Sequence, residues 1–256
     1  MITGPENKEL LKIAENAAKL AGDFLNSSRI SMRQVDVDRR RDVKIRGDKE
    51  SEKIILSYLK KHTQVYILSE ENVQSARKKS SDSLVWIVDP LDGSLNYSRG
   101  IPLCCISIGL WQGNRPVLSV VYDFNNKEMF LGVASEGAWL NGQEIKVSNN
   151  RKKKQAVLCT GFPINTDFTP DAVRTFIEDI RSYKKVRLLG SAALSLAYVA
   201  SGRADAYQEN DIAIWDVAAG IAIVKAAGGA AQFRASEITH RLIVRAGNRF
   251  LQSKVV

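Results

Sequence analysis

Hydrophobic and polar positions follow two different patterns along the first 150 residues. Apolar residues recur every three or four positions over roughly 9–26 and 49–61, which predicts two amphipathic helices. Shorter apolar segments follow and predict strands, with Asn141-Gly142 typical of a hairpin turn. The predicted strands cover 65–68, a run around Trp86, 104–111, 117–122, 129–133 and 138–140. We therefore expect helices and a mostly antiparallel sheet in this half.

The rest of the chain alternates between strand-like and helix-like segments, a pattern typical of α/β architecture. The basic run 151–154 lies between the two patterns, so we divide the chain into an α+β half, 1–150, and an α/β half, 151–256. With 256 residues, these halves could form one large domain or two closely packed units. The predicted strands are 156–160, 185–189 and 204–208, and the predicted helices are 171–181, 191–201 and 216–227.

A continuous apolar run, 84–88, ends abruptly in Asp89-Pro90-Leu91-Asp92-Gly93-Ser94. Continuous Val/Ile/Leu runs are typical of buried strands, and ligands bind beyond strand ends. Pro90 keeps Asp89 out of helical geometry, and Gly93 allows a tight turn that exposes N–H groups. Carboxylates bind hard cations such as Mg²⁺, and free N–H groups bind phosphate. The loop offers both halves of a metal–phosphate site, but the same residues also suit a plain surface turn.

Three further features lie where a strand ends or a helix begins. Glu70 and Glu71 follow a short apolar strand, and Asp216 begins a helix of small residues. The segment 190–192, Gly-Ser-Ala, can begin a helix whose N–H groups are free for an anion. Each feature also has a purely structural interpretation, with the glutamates as a solvated edge and Ser191 and Asp216 as helix caps. Taken one at a time, these features leave both interpretations open.

Taken together and in this order, the features resemble the inositol monophosphatase family of metal-dependent sugar phosphatases. The family's first signature is visible at 86–97 (WIVDPLDGSLNY) and its second at 215–220 (WDVAAG). The segments 137–142 (GAWLNG) and 190–193 (GSAA) lie between them and are also family-like. The resemblance covers nearly the whole chain. It implies a layered α/β/α/β/α sugar-phosphatase fold, a homodimer, and hydrolysis of a small sugar or cyclitol phosphate, foremost inositol 1-phosphate, by direct attack of a metal-activated water.

The resemblance also implies a ligand set for two Mg²⁺ ions. Carried over by position, the ligands of one ion are Glu70, Asp89 and the carbonyl of Leu91. The ligands of the other are Asp89, Asp92 and Asp216, so Asp89 would bridge the two ions. Family analogy further implies inhibition by Li⁺.

Catalytic roles follow from the same resemblance. Glu70 and the hydroxyl of Ser94 would orient the attacking water, and Asp48 would lie close enough to help as a base. Asp48 also matches a family position near a third, weaker metal ion. Residues 41–47 keep little of the family pattern, which leaves the third ion open. Ser94 stands where threonine is common in the family, and the hydroxyl is retained.

Substrate contacts are implied in the same way. The N–H groups of Gly93 and Ser94 would hold the phosphate, and Glu209 would accept a hydrogen bond from a substrate hydroxyl. The start of the 191–201 helix would face the sugar. The residues implied there are Gly190, Ser191 and Ala192.

The substrate itself is less constrained than the chemistry. The chain also looks like archaeal-type relatives that accept both inositol phosphate and fructose 1,6-bisphosphate. A second phosphate needs a second cationic subsite, which Arg187 or Arg203 could supply. Either arginine could equally form a surface ion pair.

A net charge of +9 makes a second class of function worth weighing. The excess is clustered at 39–41, 77–79 and 151–154, and such clusters attract phosphates, including those of RNA. No aromatic residues are interleaved to stack on bases, which favours solvated loops instead. An RNA- or transcription-associated role therefore stays open as an addition to catalysis.

Composition excludes several other classes. Three cysteines form neither a disulfide framework nor a zinc pattern, and two histidines argue against a Ser-His-Asp triad. No apolar run is long enough to span a bilayer, and the start of the chain lacks a signal-peptide pattern, so we expect a cytoplasmic protein without a membrane partner.

Overall fold

The computed structural model describes residues 4–39, 42–70, 83–162 and 166–251. Its helices are α1 (Gly4–Ser27), α2 (Arg29–Met32), α3 (Arg46–His62), α4 (Ser94–Arg99), α5 (Pro170–Ile180), α6 (Ala192–Ala200) and α7 (Ile214–Ala226). The first nine strands are β1 (Val35–Arg39), β2 (Asp42–Ile45), β3 (Tyr66–Ser69), β4 (Leu84–Asp92), β5 (Cys105–Gln112), β6 (Arg115–Asp123), β7 (Glu128–Val133), β8 (Gly137–Leu140) and β9 (Gln143–Glu144). The other strands are β10 (Val157–Thr160), β11 (Lys185–Arg187), β12 (Ala206–Ala213), β13 (Ala230–Ala235) and β14 (Arg241–Gly247).

The strands form two large sheets and one small hairpin. The seven-stranded sheet follows chain order from β3 to β9, with β3 parallel to β4 and every other pair antiparallel. The five-stranded sheet has the order β11-β10-β12-β14-β13, and β10 runs parallel to both of its neighbours. Strands β1 and β2 pair only with each other.

Side-chain alternation along the strands explains how the layers stack. On β4, Trp86 and Val88 face a core shared with α1 and α3, whereas Ile87 between them faces α6 and α7. On β10, Cys159 faces the same α6–α7 core, and Leu158 faces a third cluster below α5. The order of layers is helices α1 and α3, the large sheet, helices α6 and α7, the small sheet, and helix α5. The layered α/β/α/β/α fold expected from the sequence is confirmed.

Helix α7 lies between the two sheets because small residues let it approach closely. A Cβ atom added at Gly109 of β5 would lie 3.1 Å from the amide nitrogen of Ala219. One added at Gly220 would lie 2.4 Å from Cδ1 of Leu196 on α6. The indole N–H of Trp111 donates to the carbonyl of Ala218 at 3.1 Å. These contacts fix the position of the first turn of α7, where Asp216 lies.

Most predicted elements are present within a few residues of their expected bounds. The structure adds elements that the pattern did not predict, namely helices α2 and α4, the β1–β2 hairpin and strands β9, β13 and β14. These elements are short and contain charged residues, as in the Val-Asp-Val-Asp-Arg sequence of β1. Strand β12 also continues to Ala213 instead of ending at 208.

The predicted division near residue 150 remains a prediction. The large sheet ends at Glu144 and the small sheet begins at Val157, yet α6 and α7 pack against both sheets. In the part of the chain that the structure describes, no helix has the length and apolar character needed to cross a bilayer.

Replacing Gly220 by alanine tests the close approach of α6 and α7. Helix propensity alone would make Gly220→Ala stabilising by about 1 kcal/mol. We expect the opposite, a loss of about 1–3 kcal/mol in the free energy of unfolding, because the added methyl group would overlap Leu196. Urea denaturation measures this change. Lys225→Ala, on the exposed side of the same helix, should change stability by less than about 0.5 kcal/mol.

Candidate active site

The loop after the buried strand carries two carboxylates into the interior. Asp89 lies opposite Ser107 of β5, Asp92 lies opposite Cys105, and the register shifts between them. Gly93 then adopts a φ of +91°, and a Cβ atom there would lie 2.8 Å from the carbonyl oxygen of Leu103. Only glycine suits this turn, as the sequence suggested. Strand β4 and its loop therefore bring Asp89 and Asp92 together at the end of the sheet.

Asp48 and Ser94 lie next to each other although they are 46 residues apart. The Ser94 hydroxyl donates to Oδ1 of Asp48 at 2.6 Å and lies 2.9 Å from the carbonyl oxygen of Leu91. The backbone N–H of Ile45 donates to Oδ2 of Asp48 at 2.7 Å. Asp48 is buried, so both oxygens are held in place within the first turn of α3.

Asp92 occupies the N-terminus of α6. The hydroxyl of Ser191 and the N–H of Ala193 donate to its Oδ2 atom, the latter at 2.7 Å. Ser191 also caps the helix by accepting from the N–H of Leu194 at 3.2 Å. The sequence suggested that N–H groups here could hold an anion from a ligand, with a cap as the alternative. In the structure Ser191 is a cap, and the anion at the helix N-terminus is Asp92 itself.

A cluster of buried carboxylates gives the site its electrostatic character. Burial, followed by the negative charges of Glu70, Asp92 and Asp216, raises the pKa of Asp89 well above its ordinary value. Burial and the charge of Asp92 do the same to the pKa of Asp216, which shares a hydrogen bond with Asp89. Burial raises the pKa of Asp92 to about 6. The fold therefore holds more carboxylates together than it can keep ionised without added positive charge.

The donor chemistry of this cluster fits a hard divalent cation. All of its groups are oxygen ligands, which Mg²⁺ prefers. Within the described residues, however, no three or more acidic, histidine or cysteine side chains lie together closely enough to hold a metal ion as they stand. Asp89 and Asp216 are close enough to share a hydrogen bond.

A cavity of about 500 Å³ lies beside the carboxylate cluster. Seven of the residues predicted for the site line it: Glu70, Asp92, Gly190, Ser191, Ala192, Glu209 and Asp216. Asp89, Leu91, Gly93, Ser94 and Asp48 belong to the adjoining loop and helix start and are not part of its lining. Glu71 lies outside the described residues.

Glu209 enters the cavity from β12. Burial raises its pKa to about 8, with a smaller contribution from the charge of Asp92. A Cβ atom on Gly161 would lie 2.5 Å from Oε1 of Glu209, so the glycine leaves room for this side chain. A protonated carboxyl group can donate a hydrogen bond as well as accept one. Glu209 is therefore able to bind a substrate hydroxyl either as a hydrogen-bond acceptor or as a donor.

The structure brings different basic side chains to the cavity from those that the sequence suggested. Arg187 is exposed and donates to the carbonyl of Val186, and it does not line the cavity. Arg203 forms a bidentate ion pair with Glu128, with both contacts at 2.6 Å. This is the ion pair that the sequence analysis gave as the alternative to a phosphate subsite. Lys44 and Arg241 do line the cavity. No motif identified these two residues, because their direction depends on the packing of β2 and β14.

The layered fold and the carboxylate-lined cavity together define a sugar-phosphatase type of protein. The model of the inositol monophosphatase family matches residues 6–253. The chain belongs to this family, and the resemblance seen in the sequence is confirmed. Members of the family are phosphatases that generally depend on Mg²⁺, and this chain is a phosphatase of that family.

Two curated relatives illustrate the range of the family. The chain is 35% identical over 230 residues to inositol monophosphatase 3 of Solanum lycopersicum, covering 87% of this chain and 85% of that protein. It is 36% identical over 226 residues to Nus factor SuhB of Xylella fastidiosa, covering 87% of this chain and 81% of that protein.

Solved structures show the same fold. Inositol monophosphatase from Anabaena (Nostoc) sp. PCC 7120 superposes with a TM-score of 0.81 and 34% identity, covering 95% of this chain and 92% of that one. The extragenic suppressor protein suhB from Bartonella henselae has a TM-score of 0.81 and 32% identity, covering 94% and 95%.

The raised pKa values predict how the stability of the metal-free protein depends on pH. A group whose folded-state pKa is raised contributes stability that is complete below its ordinary pKa and is lost as pH rises through the folded-state pKa. For Asp92 and Glu209 the ordinary values are 3.8 and 4.5, and the folded values are about 6 and about 8. We expect urea unfolding in EDTA to show stability falling from about pH 4 to about pH 8. Added Mg²⁺ should restore more stability at the upper end of this range.

Glu209→Gln is the matched variant for this measurement. It removes a group whose ordinary pKa is 4.5 and whose folded-state pKa is about 8, so the decline between about pH 5 and about pH 8 should become shallower in EDTA. An unchanged decline in this variant would show that Glu209 is not the titrating group.

Proposed function

We propose that this protein is a Mg²⁺-dependent phosphomonoesterase that hydrolyses a small sugar or cyclitol phosphate, with inositol 1-phosphate as the expected substrate. The observation that supports this most is the cluster of Asp89, Asp92 and Asp216, whose pKa values are all raised at the edge of a polar cavity. Such a cluster needs positive charge, and phosphate bound beside it would need the same.

The residues that would hold two Mg²⁺ ions are those carried over from the family pattern. We assign Glu70, Asp89 and the Leu91 carbonyl to one ion, and Asp89, Asp92 and Asp216 to the other. Mg²⁺ bound there supplies the positive charge that neutralises phosphate and lowers the pKa of nearby water. A third ion near Asp48 remains a prediction, as does inhibition by Li⁺.

Ser94 and Asp48 would take up the proton of the attacking water. In our proposal the Ser94 oxygen accepts a hydrogen bond from water while its own hydrogen points to Asp48, 2.6 Å away. The backbone N–H of Ile45 donates to Asp48 and keeps this carboxylate in position. Glu70 would orient the same water from the other side. Water would then attack phosphorus and pass its proton to this pair of residues, while the bond from phosphorus to the sugar oxygen breaks and that oxygen takes up a proton from solvent water to leave as the free hydroxyl.

The opposite side of the cavity would bind the sugar. We assign the N–H groups of Gly93 and Ser94 to the phosphate, and the loop from Gly190 to Ala192 to the sugar. Glu209 would bond a ring hydroxyl, for which its burial and raised pKa suit it. The amide of Asn96 donates to the carbonyls of Leu103 and Leu189, both at 2.8 Å, and so ties the two loops together.

Fructose 1,6-bisphosphate is the alternative substrate, alone or together with inositol 1-phosphate. A second phosphate would need a cation in the cavity, and Arg241 is placed there whereas Arg187 is not. Arg241 also donates to the carbonyl of Asp211 at 2.6 Å, which limits how far its guanidinium can turn. This arrangement favours the monophosphate.

A role in transcription is a second candidate, supported by relatives named Nus factor SuhB. The basic run 151–154 is largely exposed, as a phosphate-binding surface would be. Arg40, Arg41 and the run 77–79 lie outside the described residues. Retention of RNA on filters at rising salt concentration separates this role from catalysis, because backbone contacts weaken steeply with salt.

We also propose a homodimer, which the surface supports. Helix α5 has apolar residues along one side but no buried residue in the isolated chain. Large apolar side chains on α5 and in the segments before and after it are 40–58% exposed. These residues are Phe162, Phe168, Val173, Ile177 and Leu188. A face of this kind is typical of a surface that another subunit covers.

Phosphate release from two substrates tests the proposed function. We expect release from inositol 1-phosphate with Mg²⁺ and none in EDTA, and little release from fructose 1,6-bisphosphate. Equal release from both substrates would establish dual specificity and make Arg241 the next residue to substitute. Release that persists in EDTA would contradict the metal-dependent mechanism.

Asp89→Asn tests the bridging carboxylate. Loss of the charge that both ions would share should lower turnover by roughly a thousandfold, because several kcal/mol of transition-state stabilisation disappear. Thermal unfolding in EDTA should remain cooperative, since the variant removes a charge that is costly to bury. Asp123→Asn is the control: it also alters a buried carboxylate, but one bonded to Asn125 and Asn126 away from the site. Near-normal turnover of Asp89→Asn at saturating Mg²⁺ would refute the bridging role.

A further inference from the structure

Lys44 is a lysine held at the edge of a carboxylate-rich cavity. Its Nζ atom lies 4.0 Å from Oε1 of Glu70, and its side chain is 27% exposed. Lys12, Lys49 and Lys53, which also form ion pairs, have side chains that are 64%, 50% and 69% exposed. Lys44 is thus more enclosed than these surface lysines, and it lines the same cavity as Glu70, Asp92 and Asp216.

The direction of Lys44 follows from the strand that carries it. Ile45, the next residue of β2, is fully buried in the core formed with α1 and α3. Successive side chains of a strand point to opposite faces, so Lys44 points away from that core and into the cavity. The hydrogen bond from the N–H of Ile45 to Asp48 fixes the end of this strand against α3.

A lysine at this place has two consequences for binding. Its ammonium group carries a fixed positive charge, so it repels a divalent cation that approaches Glu70. The same group has three N–H donors, which suit a phosphate oxygen. Metal binding and phosphate binding should therefore depend on Lys44 in opposite directions.

We infer that Lys44 is a built-in cation of the active site, which binds the substrate phosphate from the Glu70 side and takes the place of additional Mg²⁺ there. The inference rests on the proposed function, since it assumes that phosphate and Mg²⁺ share this cavity. It makes Lys44 a specificity-determining residue: it sets how tightly Mg²⁺ binds near Glu70 and how strongly a phosphate is retained.

Binding measurements on Lys44→Gln test this inference without relying on turnover. Isothermal titration with Mg²⁺ alone should show binding that is about fivefold to tenfold tighter than in the wild type, because a nearby positive charge is lost. Titration with inorganic phosphate at saturating Mg²⁺ should show binding about fivefold weaker, because a charged donor is lost. Lys44→Arg keeps the charge and should stay within about twofold of the wild type for Mg²⁺.

Lys49→Gln is the matched control. It removes the same charge a few residues further on, from an exposed lysine that pairs with Asp36 at 2.8 Å and does not line the cavity. Both affinities should be unchanged in this variant. Thermal unfolding verifies that each variant is folded, and Lys44→Met replaces Lys44→Gln if the latter fails to fold.

The outcomes separate this inference from the proposed function. If the wild type binds Mg²⁺ and phosphate but Lys44→Gln has unchanged affinities, the role of Lys44 is refuted and the proposed function stands. A parallel loss of both affinities would indicate general damage to the site and would also refute it. A wild-type protein that binds no Mg²⁺ would overturn the proposed function, and this inference with it.

Discussion

Burial of several carboxylates close together is the constraint on which this site depends. Asp89 and Asp92 come from the end of β4, and Asp216 comes from the first turn of α7, more than a hundred residues later. Burial raises all three pKa values, and neighbouring negative charges raise those of Asp89 and Asp216 further, so the folded chain gains when positive charge enters the cavity. The fold accepts this cost because N–H groups at the start of α6 stabilise Asp92. Cation affinity is therefore a consequence of how the layers pack.

The placement of α7 is the second requirement, because it carries Asp216 to the cluster. Glycines on both sides allow this helix to lie against strand β5 and helix α6 without a gap. A larger side chain at Gly109 or Gly220 would displace the helix and move Asp216 with it. Packing energy and catalytic geometry are thus linked through the same close contacts.

Much of the fold was predictable from apolar periodicity, since β4 to β8 and helices α1, α3, α6 and α7 each bury one regular face or a whole segment. Prediction missed the β1–β2 hairpin and the β13–β14 pair, because short segments that contain charged residues carry little apolar signal of their own. Ser191 shows a subtler limit. Its capping role and its place beside Asp92 both follow from a contact between residues 99 positions apart.

The sequence by itself determined the order of the main helices and of strands β3 to β8, the family, and the carboxylates and turn glycine of the loop after β4. These depend on short stretches of chain with their own conformational preferences. Only the tertiary structure decided which cations face the cavity. Arg187 lies close in sequence to a site loop yet is exposed, whereas Lys44 and Arg241 come from strands with no recognisable motif and line the cavity. The direction of a side chain on a strand is set by which face the sheet or hairpin buries, and that is a property of packing between distant segments.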